Sequence, residues 1–132
     1  MEPANSPMNK PPRKGFARVV QAAHYSKKGL QATWKNEESF RLEVFLLLPL
    51  FPAAFWLGNG VVEQLLLVGS CILVLIVELI NSALESIVDR ISTENHPLSG
   101  QAKDIGSAAV LLSLLWVLFT WTMIACNRFA SF

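Results

Sequence analysis

No string of the form GxxxxGK[ST] occurs in the chain, and none of the form GxGxxG. The glycine-rich loops that hold phosphates in soluble nucleotide-binding folds are therefore absent. The two histidines, His24 and His96, lack metal-ligand spacing, and no Ser/His/Asp arrangement stands out. Cysteine is equally sparse: Cys71 and Cys126 both fall in apolar runs without zinc-site spacing and read as packing thiols. Charged residues make up only 16% of the chain and leave a net charge of +1, which argues against the clustered basic face that nucleic acid requires. The polar, proline-rich start shows no apolar stretch followed by a cleavage site, so no secretory signal peptide is expected.

What the chain has instead is long apolar sequence. Hydrophobic residues make up 52% of its 132 residues, the composition of one membrane domain whose core is partly the bilayer. Residues 1–14 hold four of the seven prolines and read as a disordered cytoplasmic tail, with the membrane domain over 15–132. From Phe16 to about Trp34, Phe16, Val19, Val20, Ala23, Leu30 and Trp34 recur at helical spacing among Arg18, Lys27, Lys28 and Lys35, which predicts an amphipathic helix on the membrane surface. Val44–Val62 is uncharged and long enough to span, with Pro49 and Pro52 expected to kink it and Trp56 near its far end as an interfacial aromatic. Gly58, Asn59 and Gly60 break that helix. A second span runs from about Glu63 to Arg90, and a third uncharged run covers Ile105 to Asn127. Between them, Ser92 to Lys103 reads as a short polar loop, with Ser99 a candidate cap. The third run opens with Gly106, Ser107, Ala108 and Ala109, small residues that let helices approach closely in lipid. The expected fold is thus all-α: an N-terminal surface helix and three transmembrane helices. Basic residues Arg18, Lys27, Lys28, Lys35 and Arg41 precede the first span and none lies between the first two, so the N-terminus is expected inside and the C-terminus outside.

Polar residues return at the end of the second span. From Gln64 to Val77 there is no charge; then come Glu78, Asn81, Ser82, Glu85 and Asp89, which at about 100° per residue share one helical stripe. Counted from Glu63, Glu78 lies roughly 22 Å along the axis, inside a hydrocarbon layer about 30 Å thick. Glu85 falls at the boundary and Asp89 in water. An intramembrane carboxylate facing a bundle interior marks a candidate functional site. The competing reading is a stripe that only hydrogen-bonds neighbouring helices. Three helices alone shelter little polar surface, so an oligomer would best cover Glu78.

The stripe ELINSALESIVD, residues 78–89, resembles the signature of the prokaryotic integral-membrane diacylglycerol kinases. The likeness extends to RVVQAAHYSKKGLQATWKNEESFRLE before it and HPLSGQAKDIGSAAV after it, and covers the chain from about Phe16 to the end of the last apolar run. The related undecaprenol kinases share the central pattern. The resemblance implies ATP-dependent phosphorylation of the hydroxyl of diacylglycerol to phosphatidate, at the cytoplasmic face of the bacterial inner membrane. It also implies a homotrimer whose subunits share active sites.

Phosphoryl transfer asks for metal ions across the nucleotide phosphates, a cation beside them and a group that takes the hydroxyl proton. Glu85 at the boundary and Glu37 before the first span are suitable hard oxygen ligands for magnesium. The resemblance gives them that role and adds Asn81 beside the nucleotide. Glu78, out of water where a lipid hydroxyl can arrive laterally, is the candidate general base, and the family places its base there. Lys103 beside Asp104 would set a cation near the phosphates. The resemblance makes both nucleotide contacts, together with Arg18, Tyr25, Glu94, Asn95 and His96. Ala22, Gln31, Ser39, Glu43, Trp56 and Ser107 match positions that line the lipid path in the family. Two departures, Lys27 where relatives commonly carry an aromatic residue and Leu42 where they carry a polar one, leave the lipid preference open. Without the resemblance, a small transporter using Glu78 as an ion site is the alternative from another class; it gives Glu37, Lys103 and Asp104 together no use.

Overall fold

A computed structural model describes residues 13–91 and 94–130. Most of the expected tail, residues 1–12, lies outside them, as do Ser92 and Thr93 of the expected loop. The described residues form helices and no strand, in the order α1 (Phe16–Asn36), α2 (Glu38–Leu47), α3 (Leu50–Leu57), α4 (Val61–Ile91) and α5 (Pro97–Ala130). They fall into two compact units, one ending at Asn36 and the other starting at Glu37.

The first unit is α1. Gly15, at φ 66°, turns the chain into the helix, and its carbonyl accepts the Arg18 N–H at 3.1 Å. The left-handed conformation is one that glycine adopts without steric cost. At about 100° per residue, Phe16, Val19, Val20, Ala23, Leu30 and Trp34 fall on one stripe, as the surface-helix reading requires, and none of them is buried. Lys27 falls in the middle of that same stripe. Ser26 and Thr33 each return their hydroxyl to the carbonyl four residues back, both at 2.9 Å, so neither disturbs the helix.

The second unit holds the membrane helices. Three stretches are long and apolar enough to cross a bilayer: Glu38–Leu57, Val61–Ile91 and Pro97–Ala130. The first is broken where the sequence places its prolines. Pro49 and Pro52 bring no N–H to the preceding turn, and the Leu48 carbonyl is taken by the Phe51 N–H at 3.3 Å in a tighter turn. This span also starts at Glu38, ahead of the expected Val44, so Ser39 and Glu43 are helical. α4 has 31 residues, a rise of about 46 Å, and exceeds the hydrocarbon thickness as expected.

Two apolar clusters tie the helices together. Ala54, Leu57, Leu67 and Ile124 form one, with Val68, Trp121 and Ala125 against it; Leu47, Cys71 and Val74 form the other, with Leu50, Phe51 and Val117. Cys71 is the packing thiol anticipated, whereas Cys126 is exposed. Large apolar side chains such as Phe55, Leu65, Leu112 and Phe119 point outward, the pattern of a protein whose solvent is lipid. Of the small residues opening the third span, only Gly106 is buried; Ser107, Ala108 and Ala109 are exposed.

The polar loop is shorter than the sequence suggests. α5 begins at Pro97, so Ser99, Gly100 and Lys103 are helical, and Ser99 is not the cap. His96 fills that place: its Nδ1 accepts the Leu98 N–H at 3.1 Å and its carbonyl the Gly100 N–H at 3.0 Å. Proline at the first helical position then costs nothing, since that N–H would be unpaired anyway.

Candidate active site

The α4 stripe meets two other helices. From α2, the Ser39 hydroxyl donates to Glu78 Oε1 at 2.6 Å. Glu78 is only 3% exposed, so the sequence estimate of a sheltered carboxylate holds within a single chain. Glu43, one turn on from Ser39, lies within electrostatic reach of Glu78, and its Oε2 is buried without a hydrogen-bond partner. Two carboxylates and a hydroxyl therefore meet at one position, with Glu78 and the Glu43 Oε2 withdrawn from water although Ser39 is itself exposed. Burying such groups costs free energy that packing alone does not return.

One turn further along α4, Asn81 Nδ2 donates to Glu85 Oε1 at 3.4 Å. Asn81 Oδ1 is buried and has no partner. It faces Gly106 of α5, where an added Cβ would run into that oxygen, with Leu84 nearby at 3.9 Å. The missing side chain is what admits Asn81 between the helices. Ser82 Oγ is the third buried oxygen in this region without a partner.

At the same end of the α4–α5 pair opens a cavity of about 700 Å³, lined by Val88, Asp89, Glu94, Asn95, His96, Pro97, Ser99, Gly100 and Lys103. Four of the residues expected to contact nucleotide, Glu94, Asn95, His96 and Lys103, thus surround one space. Lys103 Nζ meets Asp89 Oδ1 across it at 2.6 Å. That ion pair was not legible in the sequence; its signal, Asp89 one turn beyond Glu85, shows only once Lys103 is known to be helical.

The remaining expected residues are placed as follows. Glu37 is the half-buried residue before α2, extended at φ −113° and ψ 107°, and its side chain makes no cap bond. Asp104 and Ser107 are exposed on α5. Trp56 lies at the other end of the bundle, its ring 6.0 Å from that of Phe129, away from Ser39 and Glu78. Arg18, Ala22, Tyr25 and Gln31 belong to α1 and are exposed there; Tyr25 Oη accepts the Gln21 amide at 2.9 Å. No group of three or more His, Cys, Asp or Glu side chains gathers into a metal site among the described residues.

Known proteins share this sequence closely. The sequence model of the family described as prokaryotic diacylglycerol kinase matches residues 24–125. A diacylglycerol kinase of Escherichia coli strain K12 is 47% identical over 115 residues, covering 87% of this chain and 94% of the relative. One from Haemophilus influenzae is 46% identical over 107 residues, 81% of this chain and 91% of its own length. Another, from Pseudomonas aeruginosa, is 46% identical over 110 residues, with 83% and 89% covered. A family match across most of the chain, relatives of nearly half identity and three apolar helices ending in a polar site lead to one conclusion: this chain belongs to the prokaryotic diacylglycerol kinase family and is a membrane-embedded kinase.

Proposed function

We propose that the chain transfers the γ-phosphoryl group of ATP to the free hydroxyl of diacylglycerol, giving phosphatidate and ADP at the cytoplasmic face of the bacterial inner membrane. The observation that carries this reading is the buried Glu78, one carboxylate oxygen already accepting a hydroxyl proton donor, Ser39, at 2.6 Å. A lipid hydroxyl arriving from the bilayer can present its proton to the same carboxylate. As the hydroxyl oxygen bonds to the γ-phosphorus, its proton passes to Glu78, the bond to the bridging oxygen breaks and ADP leaves. Glu43 and Ser39 border the place where that hydroxyl would lie and would line the lipid path.

Magnesium fits the residues beside it. Glu85 and the unpartnered Asn81 Oδ1 are hard oxygen donors, and magnesium usually takes one or two carboxylates together with substrate phosphates and water. Glu37 is the second carboxylate of this reading. When bound, the ion would supply charge neutralisation of the phosphates. The cavity by His96 and Lys103, with Glu94 and Asn95 in its lining, would hold the rest of the nucleotide, and Asp104 would be a further contact. Lys103 would place its ammonium beside the transferred group. Basic residues before the first span orient this end inward, where ATP is. A homotrimer with shared sites would cover the apolar and polar faces that a single chain leaves open.

Transfer of radiolabelled phosphate from ATP to defined lipids in mixed micelles tests the reading. Labelled phosphatidate from diacylglycerol, with undecaprenol far slower, is the expected result. Preference for undecaprenol would move the substrate to the other lipid class; no transfer to either would overturn the kinase assignment of this site.

A further inference from the structure

Asp89 takes no part in the chemistry just described, yet its carboxylate sets where Lys103 sits. Glu85 and Asp89 lie at i and i+4 on α4 and therefore share a face, one turn apart. Lys103, on the second turn of α5, bonds Asp89 at 2.6 Å and also feels the charge of Glu85. Both members of the pair are substantially open to water, with side chains 42% and 66% exposed for Lys103 and Asp89. Exposed ion pairs are weak, so small differences decide which of two neighbouring carboxylates an ammonium prefers. Glu85 is the less exposed of the two acids and already accepts the Asn81 amide. An ammonium settling there would occupy the lone pairs that a divalent cation needs.

We propose that Asp89 is a positioning residue that holds Lys103 at the last turn of α4, keeping the ammonium off Glu85 so that this carboxylate stays available to magnesium. The proposal rests on Glu85 being a magnesium ligand. Asp89 also lines the cavity proposed for the nucleotide, but its effect on magnesium runs through Lys103 and not through contact with the ion. Its removal leaves Glu85 as the next anion within reach, and magnesium must then displace a lysine. The expected change is a higher magnesium requirement, by roughly threefold to fivefold, what an exposed pair of this kind can be worth.

The test is binding, not turnover. Calorimetric titration of a non-hydrolysable ATP analogue into the full-length protein in phospholipid nanodiscs, repeated at rising magnesium, gives the concentration at half-saturation. Asp89→Asn should raise it threefold to fivefold with thermal stability unchanged, and Asp89→Glu should restore it. In a Glu85→Gln background, where the requirement is already raised, Asp89→Asn should add nothing, because the competition it creates is for Glu85. An equal increase in both backgrounds would show that Asp89 acts elsewhere and would overturn the proposal. So would an unchanged or lowered requirement in Asp89→Asn alongside a raised one in Glu85→Gln. No change in Glu85→Gln itself would instead remove the metal reading beneath it.

Discussion

At one end of the α4–α5 pair every charged side chain has been spent on the backbone. Glu63 Oε2 accepts the Asn59 N–H at 2.7 Å, closing the start of α4, and Gln64 Nε2 reaches the Gly58 carbonyl at 3.4 Å. Arg128 Nη1 donates to the Leu57 carbonyl at 3.2 Å, at the end of α3, while its guanidinium lies 5.8 Å from the centre of the Trp56 ring. At the other end Glu43 Oε2, Asn81 Oδ1 and Ser82 Oγ are buried with no partner. Thr120 Oγ1 and Trp121 Nε1, the latter beside the Cys71 thiol, are in the apolar stretch between. Each unsatisfied buried group costs about 1–3 kcal/mol. A fold that ties its polar side chains to the backbone at one end and leaves three buried oxygens without partners at the other has kept hydrogen-bonding capacity where a substrate can use it. The same residue types thus close the bundle at one end and keep a site open at the other.

Substitutions matched between the two ends test whether the unpaired oxygens serve function or only packing. The largest contrast is expected for the buried acids. Glu78→Gln keeps size and hydrogen bonding but cannot take the hydroxyl proton, so kcat should fall by about 10² to 10⁴. Nucleotide affinity and assembly should barely change. Glu63→Gln at the closed end should alter kcat by no more than roughly twofold, as for substitutions away from a site. Turnover measured in mixed micelles on both variants decides it; turnover within about tenfold of the parent for Glu78→Gln, well short of a base's usual contribution, would make the stripe structural at that position.

Two glycines give the next contrast. A Cβ at Gly106 would collide with Asn81 Oδ1; one at Gly58 would come within 2.8 Å of Gln64 Cγ and 2.9 Å of the Ala54 carbonyl. Both alanine variants overpack the same bundle and should lose about 1–3 kcal/mol of stability. Gly106→Ala should also weaken nucleotide binding, because it displaces Asn81 and with it the partner of Glu85; Gly58→Ala should not. Thermal unfolding and nucleotide titration on the pair separate stability from site geometry. Equal nucleotide binding in both would show that the close approach at Gly106 serves packing alone.

The smallest effect belongs to Arg128→Leu. Losing a partly exposed contact to a carbonyl and an aromatic face should cost about 1 kcal/mol or less. Thermal unfolding should register it, while phosphate transfer stays at the parent rate.

Three apolar runs, a break at Gly58–Gly60 and a polar stripe on one face of the second run are visible in the sequence because each depends on local periodicity and composition. The same holds for the interruption at Pro49 and Pro52, which follows from missing donors in the chain itself. Helix ends were less legible. The residues of Ser92 to Lys103 look like loop, yet from Pro97 onward they are helix, because His96 caps the turn and Lys103 finds Asp89 across the interface. The cap is local, but Asp89 is neither near enough to Lys103 in sequence nor regular enough in spacing to announce it. Glu78, Glu85 and the lysine could be singled out one by one. That Ser39 rests on Glu78, that Glu43 buries one oxygen within its electrostatic reach and that Gly106 makes room for Asn81 depended on α2 and α5 packing against α4. Helical periodicity is a property of neighbouring residues and can be read from the chain. Whether a buried oxygen is left with a partner depends on contacts between helices, which exist only once the bundle has packed.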